Sequence, residues 1–309
     1  MKRERTGAVI IAAGITSSEE GFQPLKPVGK LTRAERIILN FKNAGIEDIV
    51  VITGNRAAEL EHSLKDMGVV FLQNKEYEHT EMIDSARIGF SYMLERCSRI
   101  LFTTVNVTLF TENTVNRLLQ SPADIAIPTY QGQRGHPVML RKKAVEKILL
   151  YDGPGGLRKA IEHSGFPVDW LETEDPGILK QNTENKAFQE ILNHHNRQLL
   201  HMDLNIGLVR EKKFFDSLTA SLLGQIASAG SVRSACMRLN ISYSRGFQLL
   251  ALAEEELGFS LTQRQQGGKS GGQAVLTPEG RAFLEKYERF CREIYQLADE
   301  KFRETFLGV

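Results

Sequence analysis

The chain has 309 residues, 41% of them apolar, and sets 39 basic side chains against 38 acidic ones. That length favours two domains over one and the composition suits a soluble globular fold, while a net charge of +1 excludes nucleic-acid binding through an overall field, leaving only a local patch. No apolar run is long enough to span a bilayer, and Cys97, Cys236 and Cys291, odd in number and without metal-ligand spacing, read as reduced thiols of a cytoplasmic protein.

Basic residues ahead of Gly7-Ala8-Val9-Ile10-Ile11-Ala12-Ala13-Gly14 imitate a signal peptide, but the stretch is short and closes on a glycine turn. A buried parallel strand over residues 8–12 is the better reading. Residues 32–44 predict a helix with Ile37, Ile38 and Phe41 on one face and Gly45 as its stop. Asp48–Thr53 predicts a strand, 57–67 a helix, and 69–72, 100–104 and 125–128 further short buried strands. Strands separated by helices through about residue 188 argue for an α/β domain with a Rossmann-like, doubly wound and mostly parallel sheet. Ligands of such sheets bind at the carboxyl ends of the strands, where Gly14 and Thr53-Gly54 fall.

Between about 194 and 209 the pattern changes, and the rest is mainly helical. Residues 214–229 carry Leu218, Leu222, Leu223 and Ile226 at helical spacing and end at Gly230. A short helix over 231–239 turns Val232, Ala235 and Cys236 inward. After the turn Asn240-Ile241-Ser242 comes a longer helix, Tyr243–Leu257, whose apolar side is read as Phe247, Leu250, Ala251 and Leu257. Residues 259–264 and 274–277 read as two strands of a wing around a Gly-rich tip, and Thr277-Pro278-Glu279-Gly280 opens a final helix striped by Phe283, Tyr287, Phe290, Ile294 and Leu297. The resulting division is 1–192, a linker 193–212, and a winged helix-turn-helix domain 213–309.

Short helix, turn, longer helix is the pattern that places a second helix in the DNA major groove. Ser242 is a natural N-cap for that helix, and Ser244, Arg245 and Gln248 lie on its early exposed turns. Ser231 begins the preceding helix, while Arg264, Lys269 and Ser270 suit phosphate contacts in the wing. The final apolar stripe is too long for one small domain to bury, which predicts a homodimer on a two-fold site.

The ordered motifs of the first domain resemble the MobA-like nucleotidyltransferase family. They are Ala12-Ala13-Gly14 followed by Pro24-Leu25, Val50-Val51-Ile52-Thr53-Gly54, the loop from Asn74 to Ser85, Arg134-Gly135-His136-Pro137, Gly153-Pro154-Gly155-Gly156 and Asp175-Pro176-Gly177. The resemblance implies a loop after Gly14 whose N–H groups cradle a triphosphate, with an Arg and a Lys neutralising its charge. Those two positions hold Ser18 and Gln23 here, with Glu19 and Glu20 alongside. It also implies metal-binding Asp residues where this chain has Asn106 and, near the end of the Asp-Pro-Gly loop, Gln181 to Thr183. Two hydrogen bonds to charged groups at about 1.5–3 kcal/mol each correspond to roughly two to four decades of triphosphate affinity. Lys26, three residues past Gln23, could take over the clamp, but beside Pro27 it stands where the family has an apolar side chain.

The second domain resembles the winged helix-turn-helix of ModE-like regulators and, more distantly, of LysR-type regulators. Ser242-Tyr243-Ser244-Arg245, Gly267-Gly268-Lys269-Ser270-Gly271-Gly272 and Leu276-Thr277-Pro278-Glu279-Gly280 carry the likeness. The resemblance does not extend to the family's small molybdate-binding barrel, so it implies no molybdate site in these residues.

Three functions remain open. The first is a DNA-binding regulator, with a molybdenum connection implied by resemblance alone, whose transferase-like domain serves as a ligand sensor or scaffold. The second is an active molybdopterin cytidylyl- or guanylyltransferase with an appended DNA-binding domain. The third is a protein-interaction scaffold. The first reading needs no cofactor; the second needs Mg²⁺. Expected partners are double-stranded DNA, a nucleotide or pterin-like small ligand and a second copy of the chain, with no membrane. Candidate ligand residues are Ala12, Ala13, Gly14, Ser18, Gln23, Thr53, Gly54, Asn74, Ser85, Asn106, Gly135 and His136. Each motif also has a plain structural reading: Gly14 as a turn demanded by the fold, His136 as a turn residue, Asp84 or Ser85 as a helix cap, Cys97 as core, and His194 and His195 as solvated linker residues.

Overall fold

After strand β1 (Thr6–Ile11) the chain forms a small antiparallel pair, β2 (Pro27–Val28) and β3 (Leu31–Thr32), and then helix α1 (Arg33–Asn43). There follow β4 (Asp48–Thr53), α2 (Ala57–Leu64), β5 (Val70–Gln73), α3 (Met82–Leu94), β6 (Arg99–Thr104) and α4 (Glu112–Gln120). The first unit is completed by β7 (Ile125–Tyr130), β8 (Gln133–Arg134), β9 (Val138–Arg141), α5 (Lys142–Leu149), α6 (Gly156–Glu162), β10 (Val168–Glu172) and α7 (Lys186–Gln198). This computed structural model describes residues 5–14, 22–65, 67–180, 186–239, 241–265 and 273–307. It divides into one unit of the residues up to His201 together with Leu307, and another covering Met202–Phe306.

The sheet order is β10-β7-β9-β6-β1-β4-β5, with β8 added to β7. Strands β6, β1, β4 and β5 run parallel, as does β10 beside β7, but β9 is antiparallel to both β6 and β7. The sheet is therefore mixed, with its parallel half around β1. Along β1, Ala8 and Ile10 face one apolar layer and Val9 and Ile11 the other. Burial on both faces is why this strand reads as an unbroken apolar run. Helix α1 starts where expected because Thr32 accepts from the Glu35 N–H and Glu35 accepts in return from the Thr32 N–H, a capping box. Its Ile37, Ile38 and Phe41 are fully buried.

His195 is a correction. It is no solvated linker residue, because α7 runs through the start of the expected linker and buries this imidazole to 2% exposure. His195 Nδ1 accepts from Arg36 at 3.0 Å, and its Nε2 lies 3.2 Å from the Phe110 carbonyl oxygen. Arg36, itself buried, also donates to Asn196 Oδ1 and to the Val28 carbonyl. Burial, reinforced by the Arg36 charge, holds the His195 pKa down at about 4.

The second unit holds a hairpin, β11 (Leu208–Val209) with β12 (Lys213–Phe215), then α8 (Ser217–Ala229), α9 (Val232–Arg238), α10 (Tyr243–Leu257), β13 (Thr262–Gln265), β14 (Gln273–Leu276) and α11 (Pro278–Phe302). Asp216, Ser231, Ser242 and Thr277 each cap the following helix through the side chain, and Gly230 and Gly258 end α8 and α10 in the left-handed conformation. Leu222, Leu223, Ile226, Ala235, Cys236, Leu250 and Leu284 form its core. None of the three cysteines forms a disulfide, and Cys97 is core: burial pushes its thiol pKa up to about 11. Among the described residues no helix is long and apolar enough to cross a membrane.

Candidate functional site

The carboxyl ends of β1 and β6 open on a cleft of about 240 Å³, at the expected position for a sheet of this kind. Ala12, Ala13, Gly14, Gln23, Ser85 and Asn106 line it, together with Tyr77 and Glu81. At Gly14 a Cβ would meet no atom within 4 Å among the described residues, and the seven residues after it lie outside them. Gly54 does require glycine, because a Cβ would lie 2.6 Å from the Ala13 carbonyl oxygen and 2.9 Å from Tyr77 Cβ. That close approach presses the β4 turn against the cleft wall.

Other expected residues support the cleft from behind. Thr53 is fully buried and donates to Glu61, away from the opening. Asn74 donates to Thr80 Oγ1 and Ser85 Oγ and accepts from the Glu76 N–H, which shapes the loop ahead of α3. Ser85 is no cap: Glu81 and Asp84 form the capping box of α3, and Ser85 sits one residue further on, buried at the cleft floor. Asp175 accepts from the Thr111 and Gly177 N–H groups and from the Thr111 and Thr114 hydroxyls, so it fastens its loop to the start of α4. Ser18 and Gln181 lie outside the described residues.

Gly135 and His136 line a neighbouring cavity of about 260 Å³, largely apolar and including Phe102, Leu157 and Trp170. Met82 is common to both openings. The His136 N–H donates to the Ile178 carbonyl, and burial pushes its imidazole pKa below the ordinary value. Arg134 stacks on the Trp170 ring at 4.6 Å, at the mouth of this cavity.

One residue that matters was invisible in the sequence. Arg33, buried at the start of α1, donates through Nη1 to Asn106 Oδ1 at 3.1 Å. A hard divalent cation at Asn106 would need carboxylate oxygens. Instead the amide oxygen already faces a guanidinium, which would repel a second positive charge. Among the described residues no three His, Cys, Asp or Glu side chains come together as a metal set. Among the described residues, Asn106 held by Arg33 does not fit Mg²⁺; the second expected position, Gln181 to Thr183, lies outside them. Thr32 at the N-cap fixes the first turn of α1 and hence where Arg33 points, but nothing local in sequence announces a partner in another loop.

In the second unit α9 and α10 meet closely: a Cβ on Gly246 would lie 2.3 Å from Cys236 Sγ. This contact rotates α10, so its inward side is Gly246, Leu249, Leu250 and Ala253. Phe247 and Ala251, expected inside, are exposed. Ser244, Arg245 and Gln248 are exposed with them. Ser231 and Ser242 use their hydroxyls to accept from Ser234 N–H and Arg245 N–H. Strands β13 and β14 pair antiparallel from Thr262 with Leu276 to Gln265 with Gln273, giving the wing its base. Glu254 of α10 holds that base by accepting from the Leu261 and Thr262 N–H groups. Arg264 belongs to β13, while Lys269 and Ser270 lie outside the described residues.

The family model of the MobA-like NTP transferase domain matches residues 8–168, more than half of the chain, and that of bacterial regulatory helix-turn-helix proteins of the lysR family matches residues 221–281. Among curated proteins, the DNA-binding transcriptional dual regulator ModE of Escherichia coli (strain K12) is 32% identical over 80 residues in the helix-turn-helix region. The match takes in 26% of this chain and 30% of ModE, so the chain spans under a third of the length of the curated relatives it matches. Among solved structures, a nucleotidyl transferase from Methanothermobacter thermautotroptrophicus is 20% identical with a TM-score of 0.51. Rv0371c from Mycobacterium tuberculosis H37Rv is 17% identical with a TM-score of 0.52. Each likeness covers 62% of this chain and 98% of the other, and at these identities it is a likeness of fold.

Proposed function

The chain belongs to the MobA-like NTP transferase domain family and carries a LysR-type helix-turn-helix behind that domain, and from this we propose a DNA-binding transcription regulator whose transferase-like unit senses a ligand instead of transferring nucleotidyl groups. The observation that carries the reading is the Arg33–Asn106 hydrogen bond, which sets a fixed cation where the family resemblance implies a metal carboxylate. The open cleft beside it keeps backbone from β1 and the Ser85 hydroxyl available to a small anionic or planar ligand, a nucleotide or pterin-like molecule. The molybdenum connection rests on the family resemblance at both ends of the chain and on nothing in the residue chemistry, and the cytoplasmic placement follows from the DNA-binding reading. Phe290 and Leu297 on α11 are 47% and 64% exposed, a surface suited to pairing two copies.

A fluorescent nucleoside triphosphate, titrated with Mg²⁺ and with EDTA, tests the sensor reading. Binding of equal strength in both supports it. Tight binding that needs Mg²⁺, or pyrophosphate release by the purified protein, overturns it in favour of a working transferase, the reading that family membership alone would suggest. Salt-dependent retention on duplex DNA tests the regulator reading, and its absence favours a protein-interaction scaffold.

A further inference from the structure

Helix α10 turns two aromatic rings toward solvent. Tyr243 is 52% and Phe247 44% exposed. Four residues apart, they stand one turn above the other, and Ala251 continues the row. Ser244 and Gln248 lie along one side of the row, Arg245 lies further round the helix, and all three are exposed. The Gly246–Cys236 contact leaves this orientation no alternative: rotating Phe247 inward would carry Gly246 away from the α9 surface that only a glycine can approach so closely. An apolar ridge with hydrogen-bonding side chains along one edge therefore occupies the face that a helix-turn-helix presents to the major groove.

The major groove has one apolar feature of its own, the C5-methyl group of thymine. We propose that Tyr243 and Phe247 read thymine methyls and that Gln248, with an amide that both donates and accepts, reads an adjacent adenine, so that the half-site is A·T-rich where the start of α10 enters the groove. The proposal rests on the DNA-binding reading above. It assigns specificity to the aromatic ridge and leaves Arg245 the task of phosphate neutralisation, which holds the protein to DNA without choosing a sequence. Burying one methyl contributes about fourfold in affinity.

The test uses the full chain and lets the protein select its own DNA. Duplexes enriched from a random pool are resynthesised with deoxyuridine in place of thymidine, one position at a time, which removes only the methyl group. At one or two positions per half-site the affinity should fall about fourfold, and in Phe247→Ala that penalty should shrink toward none while salt-dependent retention on unrelated DNA persists. Phe247→Leu, which keeps an apolar tip, should retain part of the penalty. Enriched duplexes bound equally well with thymidine and deoxyuridine would overturn the proposal while leaving the DNA reading standing. So would a penalty unchanged by Phe247→Ala and Tyr243→Ala, or variants that alter only oligomeric mass. Failure to enrich any duplex would refute the DNA reading itself.

Discussion

Acid should loosen the first unit in part through the buried His195 imidazole. His195 titrates near 6.5 when unfolded and at about 4 in the native protein, where burial and the Arg36 guanidinium disfavour its charged form. Between those values the unfolded chain binds the extra proton, so the stability this group contributes is complete above about pH 6.5 and is lost as pH falls toward 4. The loss between pH 7.5 and pH 5 amounts to about 2 kcal/mol, at a slope approaching ~1.4 kcal/mol per pH unit. Trp170 is the sole tryptophan and lies in β10 of the first unit, so its fluorescence during urea unfolding follows this unit without interference from the other. Other groups titrate in the same range, and His195→Gln provides the reference because it keeps an acceptor for Arg36 but cannot ionise. The difference between wild type and variant should change by about 2 kcal/mol between pH 7.5 and pH 5. Parallel curves for the two proteins across that range would refute the buried neutral imidazole.

Gly54→Ala should push the β4 turn off Ala13 and Tyr77, destabilising the first unit by roughly 1–3 kcal/mol and weakening ligand binding in the cleft; thermal unfolding and the nucleotide titration measure the two effects, and an unchanged melting temperature would contradict the close contact. Phe290→Asp combined with Leu297→Asp replaces two exposed apolar side chains, so the monomer should fold unchanged while sedimentation shows loss of the proposed dimer. A dimer that survives the double substitution would move the pairing surface elsewhere.

Periodicity and punctuation made most of the fold legible. The limits of β4 and α10 follow from apolar patterning closed by glycines or capped by serine, signals that act within a few residues. The sequence pointed to the strand ends at Gly14 and Thr53-Gly54; the cleft lies at the ends of β1 and β6, with Gly14, Gln23, Ser85 and Asn106 on its walls and neither Thr53 nor Gly54 among them. The mixed sheet was harder to see, because buried parallel and antiparallel strands share the same apolar composition and β9 differs from its neighbours only in direction.

The amino-acid sequence by itself determined the two-unit plan, the limits of β4 and α10 and the absence of a carboxylate at position 106, since these depend on local propensity and residue identity. Only the tertiary structure decided what stands in that carboxylate's place, because Arg33 meets Asn106 across 73 residues of chain. It also decided that His195 is buried against Arg36, 159 residues away, and that Phe247 faces outward because Gly246 must touch Cys236. Pairings of this kind arise when distant segments compete for one volume, and the packing that settles the competition leaves no periodic trace along the chain.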